Sequence, residues 1–192
     1  VGPCLGGFAR LYPNIVADLR ITNTALNLSY RDADVAIRPS RNPPEELIGV
    51  PVGTIGVGIF GEREYVRKNG HKPLDAHPWL GLGELMARTP PALWMKSTLP
   101  EVKVVMSGDS FLTLRAAAAQ GVGVALLPRF VGDQCDALSA LGPPLQELDT
   151  TLWLLAHPDL RRSPLVRVFF DYFGEAMRNS ADLLAGIAND TT

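Results

Sequence analysis

The stretch from Val102 to Pro128, VKVVMSGDSFLTLRAAAAQGVGVALLP, constrains the chain most, because it carries a complete strand, helix, strand unit. Val102, Val104, Val105 and Met106 form a β-branched-rich run, which Ser107, Gly108 and Asp109 interrupt with turn and helix-start residues. From Ser110 to Gln120 an alanine-rich run with Phe111, Leu112 and Leu114 favours helix, since alanine loses no side-chain entropy on entering one. Gly121 supplies a left-handed closing residue. Val122 to Leu127 is apolar at nearly every position before Pro128 stops it, as expected of a strand that helices of a parallel sheet cover on both faces. A right-handed crossover of this kind makes the chain α/β, and its first polar junction is where such proteins hold small ligands.

Further units flank this one. The opening GGFARLYPNIVADLRI reads as a helix end (Leu5, Phe8, Leu11), a break at Pro13 and a strand in which Ile15, Ala17, Leu19 and Ile21 alternate with Val16, Asp18 and Arg20. A short helix over 25–30 and a strand at Val35 to Ile37 follow, ended by Arg38 and Pro39. Leu47 to Phe60 holds two β-rich runs around Gly53 and Gly56, then a charged helix from Glu62 to Lys68 that Asn69 and Gly70 terminate. Residues 71–91, richer in Pro, Gly and His, read as loops around one short helix near Glu84 to Arg88. Thr151 to Ala156 is a strand, and Ser163 with Pro164 opens a long helix. Leu165, Phe169, Phe173 and Met177 line one stripe of that helix, with Val166 and Phe170 beside it, so it packs across a sheet.

Composition excludes several functions. At 192 residues, 46% hydrophobic and 20% charged, the chain is globular, and a net charge of -2 gives no electrostatic footprint for nucleic acid or an acidic membrane. Cys4 and Cys135 have no Cys or His at metal-ligand spacing, so free thiols in a reducing compartment are expected, with no metal and no cofactor. No apolar run reaches the roughly 18 residues of a membrane helix.

The candidate ligand residues lie at strand ends and helix starts. Ser107, Asp109 and Ser110 stand where free backbone N–H groups and the positive dipole end favour an anion, although plain capping explains such residues too. Asp109 already places a negative charge in that field, which makes an amine or hydroxyl the easier neighbour. Thr22, Asn23 and Thr24 repeat the geometry earlier in the chain, and Arg38 follows a strand end. Phe111 either presses on a ligand or fills the core, and Pro128 with Arg129 begins the loop at the carboxyl end of the second strand. GVGIFG at 56–61 fits G-x-G-x-x-G but leaves a β-rich run without the helix and the later acidic residue that a dinucleotide site needs. Gly108-Asp109-Ser110-Phe111 resembles the nucleophile block of GDSL-type esterases, yet no D-x-x-H follows, and His71, His77 and His157 have no triad spacing.

Five segments in order and spacing resemble the effector-binding domain of LysR-type bacterial transcriptional regulators. They are FARLYPNIVADL at 8–19, DADVAIRP at 32–39, EREYVRKNGHKP at 62–73, SGDSFLTLRAAAAQGVGVALLP at 107–128 and LWLLAHPDLRRSPLVRVFFDYF at 152–173. The resemblance implies a two-lobed, type II periplasmic binding protein-like fold with two crossover strands, its first strand and part of its first helix lying before Val1. Lobe I would be 1–59 plus 151–192 and lobe II 60–150. It further implies a small-molecule effector held in the cleft by Thr22, Thr24, Arg38, Ser107, Asp109, Ser110, Phe111 and Pro128, with no catalytic residue. Operator DNA would be bound only through an N-terminal winged helix-turn-helix absent here, in a cytoplasmic dimer or tetramer whose subunits pack side by side. A free-standing solute-binding protein of a transporter is the alternative; a helix-turn-helix or a signal peptide encoded upstream discriminates the two.

Overall fold

The computed structural model describes residues 2–21 and 33–187. The chain divides into two compact units, Val1–Thr54 with Thr150–Asp182, and Ile55–Asp149 with Leu183–Thr192. It therefore passes between the units at 54/55, at 149/150 and again at 182/183.

In the first unit a three-stranded sheet has the order β1 (Val35–Pro39), β8 (Thr150–Ala156), β2 (Ile48–Ile55). Strands β1 and β8 are antiparallel, with Val35 opposite Ala156 and Pro39 opposite Leu152. The Trp153 indole N–H donates to the Ser40 carbonyl at 3.0 Å, which fixes the end of that ladder. Helix α6 (Pro164–Arg178) buries Val166, Phe173 and Met177, a spacing of seven and four that forms one helical stripe. Leu165, expected on that stripe, is 60% exposed, because at the first turn it falls one position out of the i, i+7, i+11 line. Phe169 stacks on Phe173 with centroids 4.1 Å apart, and Phe8 of α1 (Gly2–Leu11) packs against both rings, at 5.6 and 5.3 Å. The Tyr172 hydroxyl donates to the Cys4 carbonyl at 2.9 Å, tying α1 to α6.

One expected strand is absent. Residues 15–21 have no strand partner among the described residues, and Val16 and Ile21 are 95% and 100% exposed. Alternating apolar residues make a strand only where a sheet edge accepts their backbone N–H and C=O groups. The helix expected over 25–30, with Thr22, Asn23 and Thr24, lies outside the described residues.

The second unit is built on a five-stranded mixed sheet. Its strands are β3 (Val57–Glu62), β4 (Trp79–Leu82), β5 (Val104–Gly108), β6 (Val124–Pro128) and β7 (Leu138–Ala140), in the order β5-β4-β6-β3-β7. Strand β4 runs parallel to β5 and β6, whereas β3 is antiparallel to β6 and β7. The sheet is thus not purely parallel. On β6 the faces alternate: Val124 and Leu126 join Trp79, Met95 and Leu99, the last two from and just beyond α3 (Pro90–Thr98). Ala125 and Leu127 join Phe60, Leu80, Leu114 and Ala118, the last two from α4 (Phe111–Ala119). Burial of all five β6 residues follows from the cover on both sides, as the sequence predicts.

Other local expectations need correction. Strand β5 begins at Val104 and continues through Ser107 and Gly108, so the turn starts at Asp109. The helix near 84–88 is a 3-10 turn, Glu84–Met86, and the loop reading of 71–91 misses β4 entirely. Helix α2 (Arg63–Asn69) ends at Gly70 in the right-handed region, not the left-handed one. Gly121, by contrast, closes α4 at φ +73°, with its N–H on Ala118 O and the Val122 N–H on Ala117 O, the paired bonds of a Schellman end. Helix α5 (Arg129–Gly132) follows β6 directly, and α7 (Ala181–Ala185) spans the passage at 182/183.

Candidate ligand site at the strand ends of the second unit

Because β4, β5 and β6 are parallel neighbours, their carboxyl ends share one side of the sheet, the side where open α/β sheets hold ligands. Leu82–Gly83, Gly108–Asp109 and Pro128 meet that side. The expected residues Ser107, Asp109, Ser110 and Phe111 thus come together with Pro128 in one unit, whereas Arg38 sits on β1 of the other, opposite Trp153.

Each residue of the junction has a distinct role. Asp109 Oδ1 accepts the Leu85 backbone N–H at 3.0 Å, and the Gly83 N–H donates to Gly108 O at 2.9 Å. Together they pin the turn after β4 to the end of β5. A Cβ at position 83 would collide with the Asp109 carboxylate, so only glycine admits this approach. Asp109 Oδ1 is therefore engaged in holding the Gly83–Leu85 turn, a neighbour of the junction that sequence reading misses.

Ser110 reverses the capping expectation. It occupies the N-cap of α4 with extended backbone (φ -143°, ψ 128°), and its carbonyl accepts the Leu114 N–H at 3.0 Å. Its side chain makes no capping bond, so the hydroxyl is not consumed there. Ser107 points its hydroxyl at the face of Gly81, where an added Cβ would lie 2.8 Å from Oγ. The same serine lines a groove of about 410 Å³ with Leu82, Met95, Lys96, Val102 and Val104. Phe111 packs against the core formed by Phe60, Leu80 and Leu114, the ordinary fate of an aromatic in a first turn. Pro128 is buried at the end of β6, opposite Val57.

The histidines lie elsewhere. His77, 1% exposed, precedes β4 at the opposite end of the strand, and its Nδ1 is 2.9 Å from the Tyr65 hydroxyl. Its Nε2 has no hydrogen-bond partner among the described residues, and burial pushes the Tyr65 hydroxyl above its usual range. His157 Nδ1 accepts the Asp159 N–H at 3.3 Å in the first unit, and His71 is exposed after α2. Among the described residues, no histidine is hydrogen-bonded to the Gly108–Phe111 block in the way an esterase serine needs. Among the described residues no cluster of three or more His, Cys, Asp or Glu fits a metal ion, and no helix is long and apolar enough to cross a membrane.

Known proteins resemble most of this chain. An "HTH-type transcriptional regulator" of Xanthomonas campestris pv. campestris is 32% identical over 78 residues, 41% of this chain and 22% of that protein. The "Probable HTH-type transcriptional regulator LtrA" of Klebsiella pneumoniae is 24% identical over 92% of this chain and 61% of its own length. The chain thus spans less than two thirds of either regulator. The regulatory domain of CrgA, a LysR-type transcriptional regulator from Neisseria meningitidis, superposes with a TM-score of 0.73 at 21% identity, covering 92% of this chain and 91% of that domain. The mixed α/β architecture with two sheets is accordingly the type II periplasmic binding protein-like fold. Residues 1–178 match the family described as the LysR substrate binding domain, and the chain belongs to that family of ligand-sensing regulatory domains.

Proposed function

We propose that this domain senses a small-molecule effector through the β5–α4 junction and passes the change to a DNA-binding winged helix-turn-helix elsewhere in a cytoplasmic regulator. The observation that carries the reading is the Ser110 hydroxyl, unspent on capping at the start of α4 and beside the carboxyl ends of three parallel strands. Ser107 and Ser110 then contact ligand, while Asp109 holds the Gly83–Leu85 turn in place. Pro128 and Phe111 shape the floor, and Thr22, Thr24 and Arg38 are ligand contacts of the first unit. The two units correspond to the two lobes of the binding fold.

The domain acts by binding, a reading supported by its membership of a substrate binding domain family. A ligand that favours one arrangement over another shifts populations by its difference in affinity, typically about 1–3 kcal/mol of coupling. A thermal-shift screen of metabolites tests this, since a ligand at about 100 times its dissociation constant adds about 2.7 kcal/mol of stability. The expected result is a hit whose stabilisation Ser110→Ala and Ser107→Ala both weaken. A ligand that stabilises both variants as well as the parent sinks the assignment.

A further inference from the structure

The last part of the chain leaves the first unit after Asp182, and the segment from Leu183 onward belongs to the second. It meets that unit at the place where the chain first enters it. The Gly56 N–H donates to Leu184 O at 3.1 Å, and the Gly56 carbonyl accepts the Arg129 N–H at 2.8 Å. Both backbone groups of the residue that precedes β3 are thereby held, one by Leu184 and one by the start of α5.

Around this point three glycines form a socket for the Arg129 side chain. A Cβ at Gly58 would lie 3.2 Å from Arg129 Cδ, and one at Gly56 would lie 3.3 Å from Arg129 Cγ and strike Ala185 O. Gly186, at φ +70°, lies so close that an added Cβ would strike Arg129 Cβ. The side chain is also oriented from the other direction, because Arg129 Nε donates to Asp133 Oδ2 at 2.8 Å with the two side chains only 17% and 31% exposed. This is specific backbone and side-chain fit. Apolar burial contributes little: α7 has no buried residue, and Leu183 and Ile187 are 41% and 60% exposed. A segment held by fit and one backbone bond, with little apolar area, opens at a lower free energy than the sheet beneath it.

We propose that Leu183–Gly186 is a releasable strap, which locks the first crossing of the chain at Gly56 against Arg129 and opens independently of the five-stranded sheet. Seated, it fixes the start of β3 on α5; released, it frees the Gly56 amide while β6 stays paired. The strap goes beyond effector recognition, since none of its residues belongs to the β5–α4 junction.

Amide hydrogen exchange on the whole chain reads it directly. Gly186→Val places a β-branched residue at positive φ and against Arg129, and Arg129→Ala empties the socket without touching the 182/183 connection. Both variants are expected to speed exchange of the Gly56 amide by about tenfold or more, with the Leu126 amide of β6 unchanged. Unchanged Gly56 exchange in both overturns the proposal. So does an equal rise at Leu126, which would make the segment part of the cooperative core. Should Gly186→Val fail to fold, Arg129→Ala and Gly186→Ala carry the same two outcomes.

Discussion

Ser110 and Asp109 sit next to each other at one helix start and are predicted to respond unequally to truncation. An N-cap serine normally contributes about 1 kcal/mol, but that figure requires a side-chain bond that Ser110 does not make. Ser110→Ala is therefore expected to change stability by less than about 0.5 kcal/mol in urea denaturation. Asp109→Ala removes the acceptor of the Leu85 N–H and should cost about 1–1.5 kcal/mol while deprotecting that amide. If the serine variant were the costlier of the two, the division of labour at the junction would be wrong. Tyr65 gives a second residue-level test. Burial raises its hydroxyl pKa above the ordinary tyrosine value of 10.0, so folding favours the neutral phenol. That contribution is complete below the unfolded pKa and is lost as pH rises through the folded one. Tyr65→Phe should flatten the fall in stability above about pH 10, at the expense of the hydrogen bond to His77. An alkaline limb of the same steepness in parent and variant would assign it to other groups.

At the scale of elements, helix α6 separates stripe from surface. Phe173→Ala, at a fully buried position, is expected to cost about 3–5 kcal/mol, whereas Leu165→Ala, 60% exposed, should stay within about 0.5 kcal/mol. Equal costs in thermal denaturation would refute this placement of the helix. The same helix shows why some elements are legible in sequence. Its start (Ser163, Pro164), its stripe and its length all point one way, as do the strand, alanine-rich helix, closing glycine and apolar strand between Val104 and Pro128. Strand β4 carries no such local agreement. Its four residues, WLGL, stand among prolines, glycines and a histidine, and Trp79 and Leu80 are fully buried because β5 and β6 flank them and residues of α3 and α4 cover the two faces. Residues 15–21 are the converse case, with alternation but no strand partner among the described residues. The site divides likewise. Asp109 to Phe111 is legible as turn and helix-start chemistry after a strand, but the Gly83–Leu85 turn meets Asp109 across 24 positions of sequence, which no local pattern encodes.

At the scale of the whole molecule, the sheet of the second unit has two edge strands, β5 and β7, and one of them exposes large apolar side chains along its length. Strand β5 is that edge, and Val104, Val105 and Met106 are 48%, 39% and 45% exposed, with Leu112 of the adjoining α4 at 58%. Consecutive exposed apolar residues on an edge strand invite either aggregation or a partner. The register shift between Trp79 and Leu80 interrupts the ladder of β4 with β5, and an irregular edge is poorly suited to adding a further flat strand. Contact through side chains is the better fit, and a second copy of the chain is the occupant to test. A stable interface of this kind buries upwards of about 1,000 Å² in total, more than one strand supplies, so α4 must take part. Sedimentation of the domain should then show a dimer that Met106→Glu converts to monomer, because a carboxylate buried opposite apolar neighbours has no partner there. Leu112→Glu, on the helix, should weaken the dimer as well. A parent domain that sediments as a monomer at high micromolar concentration, or a dimer that tolerates both charges, would move the contact to another face.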